Sequence, residues 1–519
     1  MPPVLMTLLL APLALLGAAA LYALRPGGMP HRRSPLSEAA ALVALGLALA
    51  SVLLLLSGGP VTLAVPSAAW LSLRLDPVSA TMMVLVAFVG WVVMRYTRSY
   101  LDGEPREAVF HGTMLATLAA VLLLVLSGSF AVLIAAFLLV GLGLRSLLLF
   151  YADRPQARRA ATKFTLVWGL GDAALIAAAG FFWLAHGSLD FTRIAAEAQA
   201  GLPLAAKAGV ALLILAAALK TAAFPVHGWL TEVMEAPTPV SALLHAGIIN
   251  SGGLVLIRMA ETVQASPGGM AALVMLGGFT ALFGAVVMLT QSAVKTALAW
   301  STVSQMGFLL LQCGLGLWAL ALLHIVAHSL YKAHAFLGSG GAVRAVAGVR
   351  RPGPVAVPSL RAVARAFGMA LVLYGAVAGG FIALVGPKSP QALALGVILI
   401  FGVAYLIAQG LADAAPAALT KRTTLASLAA ALGYFLFQLL AAGLWGTNLP
   451  QPPVPDALEW AMIVLALVSF GLVAVAQALF PLWAHHPSMA GLRVHIANGL
   501  YLNTLLDRLI GGLRIQKQS

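Results

Sequence analysis

The sequence predicts an all-α polytopic membrane protein, and three observations predict it. Apolar residues make up 61% of the 519 and charged residues 9%, with a mean hydropathy of +0.99, a composition foreign to soluble domains. Apolar runs of about 20 residues, enough to span a bilayer as a helix, recur from end to end. Lysine and arginine concentrate in alternate connections between those runs.

In order, the runs place helices near 4–24, 37–57, 76–94, 111–127, 129–150, 164–185, 203–221, 239–258, 269–290, 295–314, 316–338, 368–386, 391–410, 423–445 and 457–481, about 15 spans in all. The first run, Met1 to Leu24, lacks a basic leading segment and reads as a transmembrane helix rather than a cleaved signal. Of the 30 Lys and Arg, twenty-one fall in loops that follow odd-numbered helices or in the tail. Five follow even-numbered helices (Arg74, Arg193, Lys207, Arg258, Lys388), and four sit inside apolar runs (Arg145, Lys220, Lys295, Lys332). The asymmetry predicts an outside N-terminus and a cytoplasmic C-terminus, and it assigns the net charge of +14 to membrane topology rather than to nucleic-acid binding. The single cysteine, Cys313, excludes a disulfide framework and argues against a cysteine-based metal centre.

Four regions follow: N-terminal helices over 1–110, a polar-residue-bearing core over 111–345, C-terminal helices over 346–487, and a tail over 488–519. The tail alternates apolar and basic positions and predicts an interfacial helix or a docking segment. The seventh run ends at Lys220-Thr-Ala-Ala-Phe-Pro225, where the proline breaks or kinks a helix. The stretch from His227 to Pro239 carries Glu232 and Glu235, and a second weak point lies at Gly379-Gly380. Discontinuous helices are tolerated at membrane depth where they line a polar cavity.

A charge at the bilayer centre costs about 2.5–3.5 kcal/mol on insertion scales, so intramembrane lysines point to an ion or proton pathway. His324, His328 and Lys332 recur at i, i+4 and i+8, on one helix face. Histidine titrates near neutrality and burial brings amines toward it, so such a file can relay protons. The alternative is that the histidines hydrogen-bond helix neighbours. A metal reading is weaker, for no Cys, Asp or Glu nearby completes a ligand set. Lys220 is followed by apolar and aromatic residues (Phe224, Trp229), whereas Lys295 could equally snorkel to an interface. Asp172, Glu232 and Glu235 are the acids able to partner these cations, with Arg145 a further candidate partner of Asp172.

Four blocks then carry a resemblance: Lys220-Thr-Ala-Ala-Phe-Pro-Val-His-Gly-Trp-Leu230, Met234-Glu-Ala-Pro-Thr-Pro-Val-Ser-Ala-Leu-Leu-His245, Ala297-Leu-Ala-Trp-Ser-Thr-Val-Ser-Gln305 and His324-x3-His328-x3-Lys332. Together they resemble the antiporter-like subunits of respiratory complex I (the NuoL type) and of Mrp antiporters, over roughly residues 70–345. The resemblance implies two inverted five-helix repeats with two broken helices. It also implies that Lys220, His245, Lys295, His328 and Lys332 belong to a proton-conducting axis, beside His324.

The departures from the family pattern are specific. The family's fifth-helix glutamate is replaced by Leu138 in Ala136-Phe-Leu-Leu139, its Arg-x-Gly-Asp becomes Gly169-Leu-Gly-Asp172, and no charge stands near Gly379-Gly380-Phe-Ile382. No long lateral helix is legible in the tail. Two further stretches are similar to the DabB branch, the membrane subunits of DAB inorganic carbon accumulation complexes. These are Leu147-Leu-Leu-Phe-Tyr151-Ala-Asp-Arg-Pro155 with Arg158, Arg159 and Lys163, and the tail His495-Ile-Ala-Asn498-Gly-Leu-Tyr501-Leu-Asn-Thr-Leu-Leu-Asp-Arg508. That branch implies an inner-membrane, non-enzymatic subunit passing H+ or Na+. Its partner would be DabA-like, with a zinc site related to carbonic anhydrases, and this chain would hold no cofactor. A complex I or Mrp subunit is the alternative function, and a non-conducting scaffold the second.

Overall fold

The structure is a computed structural model and describes residues 3–24, 34–65, 68–341, 359–410, 417–483 and 486–509. Helices occupy the apolar runs throughout, and eleven of them are long and apolar enough to cross a membrane among the described residues. The first four are α1 (Pro3–Leu24), α2 (Ser34–Gly58), α3 (Pro77–Tyr100) and α4 (Glu107–Val125), with α1 against α4 and α2 against α3. Between α2 and α3 stands an element that the apolar-run reading missed, an antiparallel hairpin of β1 (Val61–Val65) and β2 (Ala68–Leu75). Its signal is in the sequence, where Leu71, Leu73 and Leu75 alternate with Ser72 and Arg74. The Arg74 amide donates to the Leu126 carbonyl at 2.8 Å, which fastens β2 to the end of α4.

Asp76 begins α3 as its N-cap, accepting from the Ser79 amide at 2.8 Å. The same carboxylate takes the Arg258 guanidinium at 2.6 Å and Arg74 at 2.9 Å, while Arg258 also donates to the Val125 carbonyl at 2.9 Å. One buried acid thereby joins the hairpin, α3, α4 and the helix that ends at Arg258.

The middle of the chain supplies α5 (Phe130–Leu148), α6 (Pro155–His186), the short α7 (Phe191–Ala198) and α8 (Leu204–Lys220). In α7, Phe191, Ile194 and Ala198 face inward and Asp190 caps the start. Next come α9 (Gly228–Thr231), α10 (Thr238–Ala246), α11 (Ser251–Arg258) and α12 (Ala260–Gln264). The long pair α13 (Pro267–Met288) and α14 (Val294–Gly314) packs backbone on backbone. A Cβ on Gly277 would lie 2.4 Å from the Leu311 amide nitrogen, and one on Gly307 would lie 2.3 Å from that of Ala281, so only glycine permits this approach. α15 (Trp318–Gly338) closes the core.

A second cluster comprises α16 (Leu360–Val385), α17 (Pro390–Gly410), α18 (Ala417–Trp445) and α19 (Ala457–Ala478). Tyr374 in α16 donates to the Leu393 carbonyl at 2.8 Å, and the Trp445 indole reaches back to Thr81 Oγ1 at 3.0 Å. The weak point expected at Gly379-Gly380 is not a break, since α16 runs through it without interruption. Two glycines lower helix propensity by about 1 kcal/mol each, but hydrocarbon offers the backbone no other hydrogen-bond partner. The tail forms α20 (Ala490–Ala497) and α21 (Leu502–Leu509). Of the predicted basic positions, Arg25, Arg32, Arg33, Arg344, Arg350, Arg351, Arg514 and Lys517 lie outside the described residues.

Replacing Arg258 by methionine removes one partner of a buried ion pair and is expected to cost about 3 kcal/mol. A lowered unfolding midpoint in detergent checks it, with Arg98→Met, at an exposed pair with Glu38, expected to stay within about 1 kcal/mol of the parent.

Candidate ion path

α8 ends at Lys220 because the next five residues cannot continue it: Ala222 takes a left-handed φ of 52°, and Pro225 has no amide to donate. The carbonyls freed by the break find other donors. Ala223 N donates to Ala218 O at 3.0 Å, and the Trp229 indole to Leu219 O at 3.3 Å. The amide of Phe224 donates to Thr280 Oγ1 on α13 at 3.2 Å, so the irregular segment is held by side chains of its surroundings.

Lys220 is buried and its ammonium lies 2.6 Å from Asp172 Oδ1 on α6. It also lies 4.0 Å from the Trp168 ring centroid and 4.2 Å from that of Phe137. Of the acids considered for Lys220, Asp172 is the partner. Leu138, at the position of the family's acid, is 44% exposed and turns away, while its neighbour Phe137 lends the lysine an aromatic face. Gly171 makes room, for a Cβ there would stand 3.2 Å from Lys220 Cγ. Arg145 does not meet Asp172. It lies exposed in the last turn of α5 and forms no ion pair among the described residues.

Glu232 and Glu235 serve other cations. Glu235 pairs with Arg154 at 3.5 Å on the surface. Glu232 takes the ammonium of Lys163 at 2.6 Å. Lys163 is fully buried, two turns inside α6, and was grouped with the loop cations by the charge count. Its other partners are Asp507 Oδ1 at 2.7 Å and Asn503 Oδ1 at 2.6 Å, both from α21. A lysine preceded by Ala160-Ala161 and followed by Phe164 carries a weak sequence signal of burial.

α14 is the spine of the remaining row. Lys295 is its second residue, half-buried and near the end of the helix rather than at its centre, and donates to Thr238 Oγ1 at 3.1 Å. Lys332 on α15 is buried and donates to Leu298 O at 3.1 Å and to Ser301 Oγ at 2.8 Å. His245 on α10 meets Thr302 Oγ1 at 3.1 Å and stacks on Phe336 at 4.3 Å. Farther along, Gln312 Oε1 accepts from His324 Nδ1 at 2.7 Å. From Lys295 to Gln312 the helix advances about 25 Å at 1.5 Å per residue, close to the depth of a hydrocarbon core.

His324, His328 and Lys332 share one face of α15, with the two imidazoles 6.0 Å apart. Among the described residues neither His328 nitrogen has a hydrogen-bond partner, and the same holds for His245 Nε2 and His324 Nε2. Among the described residues no carboxylate pairs with Lys332 or Lys295. The arrangement thus offers a file of donors and acceptors whose cations are held by neutral oxygens, able to pass a proton without separating an ion pair. Three polar contributors went unread in the sequence. Asn250, in the turn between α10 and α11, donates to Ser329 Oγ at 3.0 Å, and Ser301 with Thr302 forms the acceptor step of α14. The signal for Ser301 and Thr302 is a polar stripe at helical spacing from Lys295 (Ser301, Thr302, Gln305, Gln312).

Comparison with known proteins bears on this geometry. The family described as NADH:quinone oxidoreductase/Mrp antiporter, TM matches residues 127–355, and that of the complex I chain 5 N-terminus matches 67–111. The chain is 37% identical over 451 residues to the probable inorganic carbon transporter subunit DabB2 of Halothiobacillus neapolitanus, covering 85% of this chain and 80% of that one. It is 34% identical over 281 residues to NADH-quinone oxidoreductase subunit L of Mycobacterium tuberculosis, covering 53% and 44%. Against two other DabB subunits the chain spans about half of the relative's length. The fold is similar to the Mrp complex from Dietzia sp. DQ12-45-1b, with a TM-score of 0.66 at 24% identity over 99% of this chain and 61% of that one.

The Lys220–Asp172 pair gives a double-mutant test. Lys220→Met or Asp172→Asn alone is expected to destabilise by about 3–5 kcal/mol, and the double variant to recover most of the loss. Denaturation midpoints of the four proteins in detergent check it.

Proposed function

The chain belongs to the antiporter-like membrane-subunit family that includes DabB and NADH-quinone oxidoreductase subunit L, and on that premise we propose that it conducts a cation, H+ or Na+, to energise inorganic carbon uptake. The observation that carries this reading is the 37% identity to a DabB subunit across 85% of the chain. In this reading the chain sits in a bacterial inner membrane with its basic face toward the cytoplasm. It works beside a DabA-like subunit whose zinc would carry out CO2 hydration, so this chain needs no catalytic residue or cofactor of its own.

Lys220 is the first charge of the path, balanced by Asp172. His245 and Lys295 are the central relays, and His328 with Lys332 the next station, continued by His324. What supports these roles is the hydrogen-bonding of Lys332, His245 and His324 to one helix, α14. The ammonium of Lys332 rests on a hydroxyl and a carbonyl, so a neutral amine at the same place keeps its neighbours, and loss or gain of a proton leaves the packing intact.

A second reading, a subunit of complex I or of an Mrp antiporter, draws on the similarity to subunit L. Leu138 at the place of the fifth-helix acid and the uninterrupted α16 weigh against a full pump of that kind. A third reading is a non-conducting scaffold.

Affinity purification of the chain from its native membrane separates the first two: a large zinc protein is the expected companion, and quinone-reductase subunits would favour the second. Lys332→Ala and Lys220→Ala are expected to abolish growth at ambient CO2 while the complex still assembles. Full growth with either variant assembled would favour the scaffold.

A further inference from the structure

The tail folds back over the break. Its α20 and α21 are joined through Gly499, Leu500 and Tyr501, with φ of 56°, 55° and 60°. Three successive left-handed residues, two of them not glycine, are a strained turn, the kind of strain that persists only where the surroundings hold it. The turn aims α21 back at the core. A Cβ on Gly499 would meet the Trp300 ring at 3.1 Å and lie 3.8 Å from His227 Nε2. Gln291 Nε2 holds the Ala497 carbonyl at 3.1 Å, and Asn503 sits directly on Gly228.

The turn is fastened by charge. Asn503 accepts from Lys163 and donates to Glu232, and Asp507 adds a second carboxylate to the buried Lys163. Glu232 ends α9, so the tail, the broken segment and α6 meet at a single ammonium. With the tail in place Lys163 has Glu232, Asn503 and Asp507 as partners, and of these Glu232 alone would remain without the tail. His227 and Trp300, whose rings lie 4.8 Å apart, connect the break to α14 and are covered by the same segment.

We propose that residues 490–509 are a strap over the basic-face mouth of the ion path, fastened by Lys163 to Asn503 and Asp507 and opened for conduction by release of the strained turn at 499–501. The proposal rests on the conducting role proposed above and adds its regulation. Lys163 acts as a positioning residue that holds the strap and the break together; it is not itself a station of the path.

The test locks the strap. A Cβ at 228 would stand 3.3 Å from Asn503 Cβ, a little under the roughly 3.5–4.5 Å of a disulfide, so a small outward shift lets the bond form. The lone native thiol, Cys313, is buried and removable by Cys313→Ala. The full chain with its copurifying partner, carrying Gly228→Cys and Asn503→Cys, is reconstituted in liposomes and cation or proton flux is followed by a dye. Oxidation is expected to stop flux and reductant to restore it, with the linked peptide seen by mass. A disulfide that forms and leaves flux unchanged overturns the strap, as does failure of the disulfide to form. Absence of flux from both the unmodified protein and Asp507→Asn overturns the conducting role instead. Asp507→Asn alone is expected to raise flux and the protease sensitivity of the tail; raised sensitivity with unchanged flux also overturns the strap.

Discussion

An ammonium group where a helix stops inside a membrane has to be satisfied by protein, and at Lys220 that requirement organises the middle of the molecule. The helix must stop because of Pro225, so its last carbonyls need donors and its terminal cation needs an anion. Trp229 donates to one of those carbonyls, Asp172 supplies the anion, and Thr280, from a third element, accepts from the Phe224 amide of the broken segment. Removing water from this neighbourhood makes each of those contacts stronger and each omission costlier. The aromatic faces of Phe137 and Trp168 complete the enclosure around the ammonium, 4.2 and 4.0 Å from it.

The two buried ion pairs of α6 bracket the break with opposite polarity. On one side the cation belongs to α8 and the anion, Asp172, to α6; on the other the anion, Glu232, belongs to the broken segment and the cation, Lys163, to α6. Lys163 and Asp172 are nine residues apart, about 13 Å along the axis. A rigid helix thus holds both lips of an irregular segment by charges that cannot exchange partners without crossing that distance.

Much of this was legible from residues alone, and the reasons differ from place to place. Apolar runs find helices because hydrocarbon permits hardly any other backbone, and the break after Lys220 follows from a proline that no neighbour can replace. The file His324, His328 and Lys332 needs only helical spacing. What escaped depends on distant partners. Lys163 looks like a loop cation until a segment more than three hundred residues later covers it, and Glu232 could not be given to it rather than to Lys220. Arg145 sits inside an apolar run but near its end, where a long side chain reaches out, and the hairpin at 61–75 was too short to compete with the helices flanking it. Gly379-Gly380 reads as weak by propensity, which is the wrong measure for a chain in lipid.

The glycine contacts between α13 and α14 carry a consequence for mechanics. Two helices whose backbones touch at Gly277 and Gly307 have no side-chain layer in which to slip. Thr280, which holds the break, and Ser301 and Thr302, which hold Lys332 and His245, are therefore fixed to one stiff beam. Displacement at the broken segment is handed to the distal polar groups as translation of that beam, without being absorbed on the way.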